Sequence, residues 1–333
     1  MSVKRIESLA PGGARTILHE VLPLDTPYVI QIFPIYCCNF KCNYCIFSIP
    51  QDKRGFISNE RVMPFKLFTK VIDDMTQFPQ KIRTLRFVGI GEPLLHPYLP
   101  DMVKYVADKK VANTIEILTN GFRMMPDMSS KLLDAGLTRL VISIQGTSAA
   151  KYKKTCGISI DFDMFVSNIE YFYRTKNPAA HLYIKIVDTA LEGPKDVDAF
   201  YDIFGSICDT ISIEHTVPIH KGVNSTEAIK SDVTQFGVAV TDVKICPQSF
   251  FHLQINPDGN VVPCYSWDYP VILGNCNNQS LLDIWHSETL KNFRMSLFDC
   301  SYRHCLECNM IKYRMFPEDK LDGHIEQLKS KYM

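Results

Sequence analysis

The 333-residue chain has no hydrophobic run long enough to cross a membrane and no excess of charge of either sign. A membrane-spanning helix needs about 18 or more consecutive apolar residues, and the N-terminal MSVKRIESLAPGG has no apolar signal-peptide core. A cytoplasmic location without membrane contact is expected. Lys and Arg total 36, as do Asp and Glu, so the basic excess of a nucleic-acid-binding protein is missing and no nucleic-acid partner is expected. Low-complexity segments are absent, as is any internal repeat beyond a strand–helix unit. Hydrophobic residues at 46% are sufficient for a sizeable core.

Cysteine is abundant. Twelve are present, four of them between Cys37 and Cys45 and five between Cys264 and Cys308. In a reducing compartment such clustered thiols point to metal ligation rather than disulfides.

Strands are predicted at Tyr28–Phe33, Leu85–Val88, Thr114–Leu118, Arg139–Ile144, Leu182–Val187 and Thr210–Glu214. Helices are predicted between them, near Phe65–Met75, Tyr98–Ala107, Met128–Ala135, Phe162–Tyr173 and Asp196–Phe204. This alternation means βαβ units and a parallel sheet, in either a partial barrel or an open doubly wound arrangement. After Glu214 the rhythm stops. Residues 216–245 read as a linker, followed by a hairpin around Pro257-Asp258-Gly259 and a helix over Leu281–Leu297. The expected units are an N-terminal extension (1–27), an α/β catalytic part (28–215), the linker, a cysteine-rich part (246–310) and a helical tail (311–333).

Cys38, Cys42 and Cys45 form a C-x3-C-x2-C loop directly after the first strand. Three thiolates on a cubane cluster leave one iron open to an exogenous ligand. Zinc fits less well, because it prefers paired ligands that close a tetrahedron. Further strand ends carry Gly89-Ile90-Gly91-Glu92-Pro93, Leu118-Thr119-Asn120-Gly121 and Ser143-Ile144-Gln145-Gly146. Parallel α/β folds bind ligands at such ends.

The triplet, with Tyr44 before its last cysteine, resembles the signature of the radical S-adenosylmethionine (SAM) superfamily. The resemblance implies a partial (β/α)6 TIM-like barrel and a SAM-binding [4Fe–4S] cluster on Cys38, Cys42 and Cys45. Gly91-Glu92-Pro93 looks like the family's GGEP motif, which holds the SAM amino group, although Ile90 interrupts the glycine pair. Asn120 belongs to a TNG tail common in the superfamily, and Ser143 resembles a residue that touches the SAM ribose or carboxylate. Cys246, Cys264, Cys305 and Cys308 resemble the auxiliary-cluster region of SPASM and twitch members. No cysteine follows Cys308, so the shorter twitch form, with one auxiliary [4Fe–4S] cluster in a small β-hairpin/helix domain, is expected. Zinc on the same four thiolates is the competing reading, and Cys276 and Cys300 are spare ligands.

The resemblance implies an enzyme that forms a 5′-deoxyadenosyl radical and abstracts hydrogen from a C–H bond. An electron donor such as flavodoxin or ferredoxin is expected as partner. Oxidation of an alcohol, or epimerisation with Cys156 as hydrogen-atom donor, are the expected outcomes. About 27 residues precede the first strand, too few for a leader-recognition domain, which favours a small-molecule substrate (a sugar or cyclitol) over a ribosomal peptide. Lys185 and His215, on late strands, are candidates to bind or deprotonate it. A non-catalytic iron–sulfur protein for electron transfer or sensing is the reading from another class, as is a zinc-stabilised scaffold.

Overall fold

The computed structural model describes residues 4–5, 15–229, 231–265 and 269–333. Its strands are β1 (Lys4–Arg5), β2 (Val29–Ile32), β3 (Ile82–Phe87), β4 (Ala112–Thr119), β5 (Arg139–Ile144), β6 (His181–Val187), β7 (Thr210–Glu214), β8 (His252–Ile255), β9 (Asn260–Val262) and β10 (Gly274–Asn275). They form one sheet in the order β1-β7-β6-β5-β4-β3-β2-β8-β9-β10. β2 to β7 run parallel in sequence order, as a partial barrel requires. Among the described residues no helix is long and apolar enough to cross a membrane.

The helices are α1 (Leu18–Val21), α2 (Phe65–Met75), α3 (Leu99–Lys109), α4 (Pro126–Asp134), α5 (Ala149–Cys156), α6 (Phe162–Thr175), α7 (Pro194–Phe204), α8 (Asn224–Glu227), α9 (Gln248–Phe251), α10 (Leu281–Trp285), α11 (Glu288–Phe298), α12 (Arg303–Leu306), α13 (Asn309–Tyr313) and α14 (Ile325–Tyr332). Helix α2 shows why they cover the sheet. Leu67, Phe68, Val71, Ile72 and Met75 recur on one face and are buried, with the Phe68 ring 5.9 Å from Phe87 of β3.

Alternation along the strands splits the sheet into two faces. Ile30, Leu85 and Ile115 form an apolar row in register and are buried. The next row is polar: Gln254, Gln31, Arg86, Glu116, Arg139 and His181 are successive Cα partners from β8 to β6. Glu116, only 1% exposed, pairs with Arg86 and, at 3.2 Å, with Arg139. Burial works to raise its pKa, but the two guanidinium groups outweigh it and hold the carboxyl below its usual value.

Three features depart from the sequence expectation. Helix α5 was not expected; Ser148 caps its start and Gly157 ends it at φ +72°. The single helix over Leu281–Leu297 is two, because Ser287 accepts a hydrogen bond from Leu290 N and starts α11. The hairpin forms at Pro257-Asp258-Gly259 as expected, with Gly259 at φ +85°. However, its first strand, β8, also pairs in parallel with β2, so the cysteine-rich part continues the barrel sheet.

Candidate active site

The loop after β2 carries Cys38, Cys42 and Cys45. Cys42 is buried and the other two are partly exposed, and their sulfurs interact electrostatically across the loop. Phe40 N donates to Cys38 Sγ at 3.4 Å, and the backbone N–H groups of Ile46 and Phe47 point at Cys45. Such N–H···S bonds stabilise thiolates around a cluster. Burial pushes the Cys38 thiol up to about 12, so thiolates there need a cationic partner. Cys37 is exposed; its carbonyl accepts from Glu92 N at 2.8 Å.

The loop is held from three sides. From β3, Gly91 approaches so closely that a Cβ would stand 2.1 Å from the Ile35 carbonyl oxygen. Glu92, 2% exposed, accepts at Oε1 from Leu94 N (3.0 Å) and Thr119 Oγ1 (2.6 Å), and at Oε2 from Asn120 N (2.7 Å). Burial raises this carboxyl to about 7, against the lowering effect of those donors. Pro93, buried, begins the turn that follows. Asn120 Nδ2 reaches the loop itself, donating to Asn39 Oδ1 at 2.8 Å.

From β5, Gln145 accepts at Oε1 from Tyr44 Oη and from Cys42 Sγ (3.4 Å), and donates to the Ser143 carbonyl at 2.9 Å. From α5, the carbonyls of Cys156 and Thr155 accept from Lys41 N and Asn43 N. Gln145 and Asn39 were missed by sequence reasoning. Only their place beside the motifs could have flagged them.

Cys156 is 2% exposed and its thiol donates to the Tyr152 carbonyl at 3.0 Å. It does not line the cleft described next. Its backbone carbonyl braces the cluster loop by accepting from Lys41 N.

A cleft of about 180 Å³ opens over the ends of β5, β6 and β7. Tyr44, Cys45 and Ser143 line it together with Lys185, Glu214 and His215. Lys185 Nζ lies 2.7 Å from Glu214 Oε2, which also accepts from Gln235 Nε2 at 2.7 Å. His215 Nδ1 faces Asp188 Oδ2 at 3.1 Å, and Asp188 Oδ1 accepts from Thr216 N at 2.9 Å. Thr216, His220, Thr226 and Gln235, which also line the cleft, come from the stretch read as a linker. No periodicity in the sequence marks them.

A second cavity is lined by Cys246, Cys264, Cys305 and Cys308. The hairpin separates the first two, and α12 with its flanking turn supplies the others. Burial raises the Cys246 thiol, and the other three sulfurs add to the effect. Cys276 and Cys300 lie outside this lining. Cys276 is fully buried in the apolar core, and Cys208 donates to the Phe204 carbonyl.

Among the described residues no group of three or more His, Cys, Asp or Glu side chains is arranged to hold a single metal ion. A cubane cluster gives each thiolate its own iron, so its ligands need not converge on one ion. Both donor sets consist of thiols alone, partly or fully buried, with backbone N–H groups at Cys38, Cys45 and Cys246. They suit iron–sulfur clusters.

Residues 32–191 match the radical SAM superfamily, and residues 246–309 match SPASM, an iron–sulfur cluster-binding domain. The tungsten-containing aldehyde ferredoxin oxidoreductase cofactor-modifying protein of Pyrococcus furiosus is 28% identical over 328 residues, covering 82% of this chain and 85% of that protein. GTP 3′,8-cyclase of Campylobacter jejuni is 36% identical over 136 residues, covering 40% of this chain and 39% of the relative. Among solved structures, Streptococcus suis SuiB bound to S-adenosylmethionine superposes with a TM-score of 0.65 at 15% identity, covering 93% of this chain and 79% of that one. BtrN in complex with AdoMet and 2-DOIA gives 0.53 at 17% identity, covering 85% and 92%. At such identities the structural likeness concerns the fold.

The cofactors that go with these two matches are a [4Fe–4S] cluster with SAM and an auxiliary iron–sulfur cluster. The chain belongs to the radical SAM superfamily and carries a C-terminal SPASM iron–sulfur domain.

Proposed function

We propose that this radical SAM enzyme oxidises an alcohol carbon of a small polar substrate, a sugar or cyclitol, in the cleft beside Cys45. Cys38, Cys42 and Cys45 hold the SAM-binding cluster, and Cys246, Cys264, Cys305 and Cys308 the auxiliary one. Glu92, with Gly91, Pro93, Asn120, Ser143 and Tyr44, forms the SAM site. When bound, the two clusters supply, respectively, the electron that splits SAM into methionine and a 5′-deoxyadenosyl radical and an acceptor for the electron that leaves the substrate.

The observation that carries this reading is the cleft, which brings cluster-loop residues Tyr44 and Cys45 together with polar side chains of β6 and β7. With SAM bound, its adenosyl radical would remove the carbinol hydrogen of a substrate held beside Tyr44 and Cys45. Loss of one proton and one electron then gives the carbonyl. His215 takes the proton at Nε2, with Asp188 orienting the ring through Nδ1. Lys185, held by Glu214, donates to a substrate hydroxyl. Epimerisation needs a hydrogen donor beside the radical, and Cys156 is not in the cleft. Oxidation is therefore preferred.

The test uses reconstituted enzyme under anaerobic conditions with SAM and a strong reductant. Alcohols deuterated at the carbinol carbon are supplied from a panel of sugars and cyclitols, with short peptides as a second arm. Deuterium in 5′-deoxyadenosine and a carbonyl product from the first panel is the expected result. Label transfer from the peptides alone would replace the substrate class. Iron-loaded enzyme that makes no 5′-deoxyadenosine with any of them sinks the reading. His215→Gln should lower carbonyl formation by roughly 100-fold and leave iron content unchanged.

A further inference from the structure

Arg314 follows α13, the short helix after the last cysteine of the second set, and its side chain lines the cleft beside Cys45. The segment that carries it is fixed to the other wall: Gln235 N donates to the Tyr313 carbonyl at 2.8 Å, and Asn309 Nδ2 to the Pro218 carbonyl at 2.6 Å. The guanidinium lies 5.2 Å from the centre of the Tyr265 ring.

Of the charged residues that line the cleft, Lys185 and Arg314 are cationic and Glu214 is anionic. Glu214 is engaged by Lys185 and Gln235, and Asp188 by His215. Among the described residues no carboxylate forms an ion pair with Arg314, and its buried Nε has no hydrogen-bond partner. Without an ion pair, this cleft-lining guanidinium keeps a charge that an anionic ligand would neutralise. Burial, reinforced by Arg314, pushes the neighbouring His220 down to about 4, so at neutral pH it adds no second positive charge. A planar fork with vacant donors at the wall of a small cleft suits bidentate recognition of a carboxylate or phosphate.

We infer that the substrate carries an anionic group, a carboxylate or a phosphate monoester, that docks on Arg314 while its reacting carbon faces the Cys45 side of the cleft. This rests on the cleft being the substrate site. It narrows the substrate to an acidic sugar or cyclitol derivative, and Arg314 becomes a determinant of specificity. A neutral analogue would leave the guanidinium unpaired and lose the interaction.

The test reads binding without turnover. Holoenzyme with both clusters and SAM is titrated anaerobically with methyl glucuronide, glucose 1-phosphate and neutral methyl glucoside, following the thermal midpoint. SAM affinity is measured in parallel by equilibrium dialysis. Expected are a rise in the wild-type midpoint with one of the anionic probes and none with the glucoside, the responding probe telling carboxylate from phosphate. Arg314→Gln should weaken anion binding at least about tenfold and Arg314→Lys by less, with SAM affinity within about twofold of wild type. Anion binding that survives both substitutions overturns the inference, as does a wild type that responds to neither anion. SAM affinity that falls with Arg314→Gln also overturns it, since the anion held would be the carboxylate of SAM. If Arg314→Gln does not fold, Arg314→Lys and the wild-type titration still decide. A wild type that binds the anion but makes no 5′-deoxyadenosine sinks the proposed reaction alone.

Discussion

The Glu92 carboxylate accepts the backbone N–H of Asn120 at 2.7 Å, tying the end of β3 to the end of β4 directly beside the cluster loop. Burial holds this carboxyl at about 7, whereas an unfolded chain would release the proton near 4.5. Between those pH values the folded protein binds more protons than the unfolded one, so stability falls as pH rises through the window. The full span corresponds to roughly 3 kcal/mol. Denaturant titrations of wild type and Glu92→Gln at several pH values between 4.5 and 8 should show this slope in the wild type only. Parallel pH profiles would remove Glu92 as its source.

Gly91→Ala should damage the cluster site more than the fold. The added Cβ would stand 2.1 Å from a backbone oxygen of Ile35, and backbone so close to the cysteine loop has little room to yield. Iron content after reconstitution should fall toward half of wild type, and SAM cleavage should be lost. Full iron loading with normal cleavage would show that the loop can move.

Replacing Cys38, Cys42 and Cys45 together by Ala should halve bound iron, from about eight atoms to about four. Replacing Cys305 and Cys308 should also leave about four, held by the other cluster. An unchanged iron count in the second variant would exclude those two residues as ligands. Zinc recovered from the first variant in place of iron would assign the second cavity to zinc.

Glu116→Gln should destabilise the barrel by roughly 3–5 kcal/mol, because Arg86 and Arg139 would lose the carboxylate between them. The thermal midpoint reads this. A shift equal to that of an exposed surface substitution would mean that water already screens the pair.

Much of the barrel was legible in the sequence. All six expected strands overlap β2 to β7, because each is a short apolar run beside a helix with a 3.6-residue stripe. The cysteine sets were legible as well, since ligand spacing is local. Helix α5 escaped notice because it is short and lysine-rich, with only Tyr152, Thr155 and Cys156 buried, although Ser148 and Gly157 marked its ends. The residues that complete the cleft were hidden for another reason. Thr216, His220, Gln235 and Arg314 come from irregular chain or its edge, and only tertiary packing brings them to Lys185 and His215. Arg139 and Glu116 likewise form a pair set by strand register, and no periodicity within one strand announces it.

The parallel pairing of β8 with β2 also bears on how the chain is made. Strand β2 emerges early from the ribosome, but the strand that covers its outer edge arrives more than two hundred residues later. Until then a row of unpaired backbone donors and acceptors flanks Val29–Ile32, the kind of edge that recruits strands from other molecules. A chain truncated before residue 252 would keep that edge permanently, so it should aggregate rather than survive as a working half-enzyme. Late mutations that loosen the hairpin would then show up first as insoluble protein.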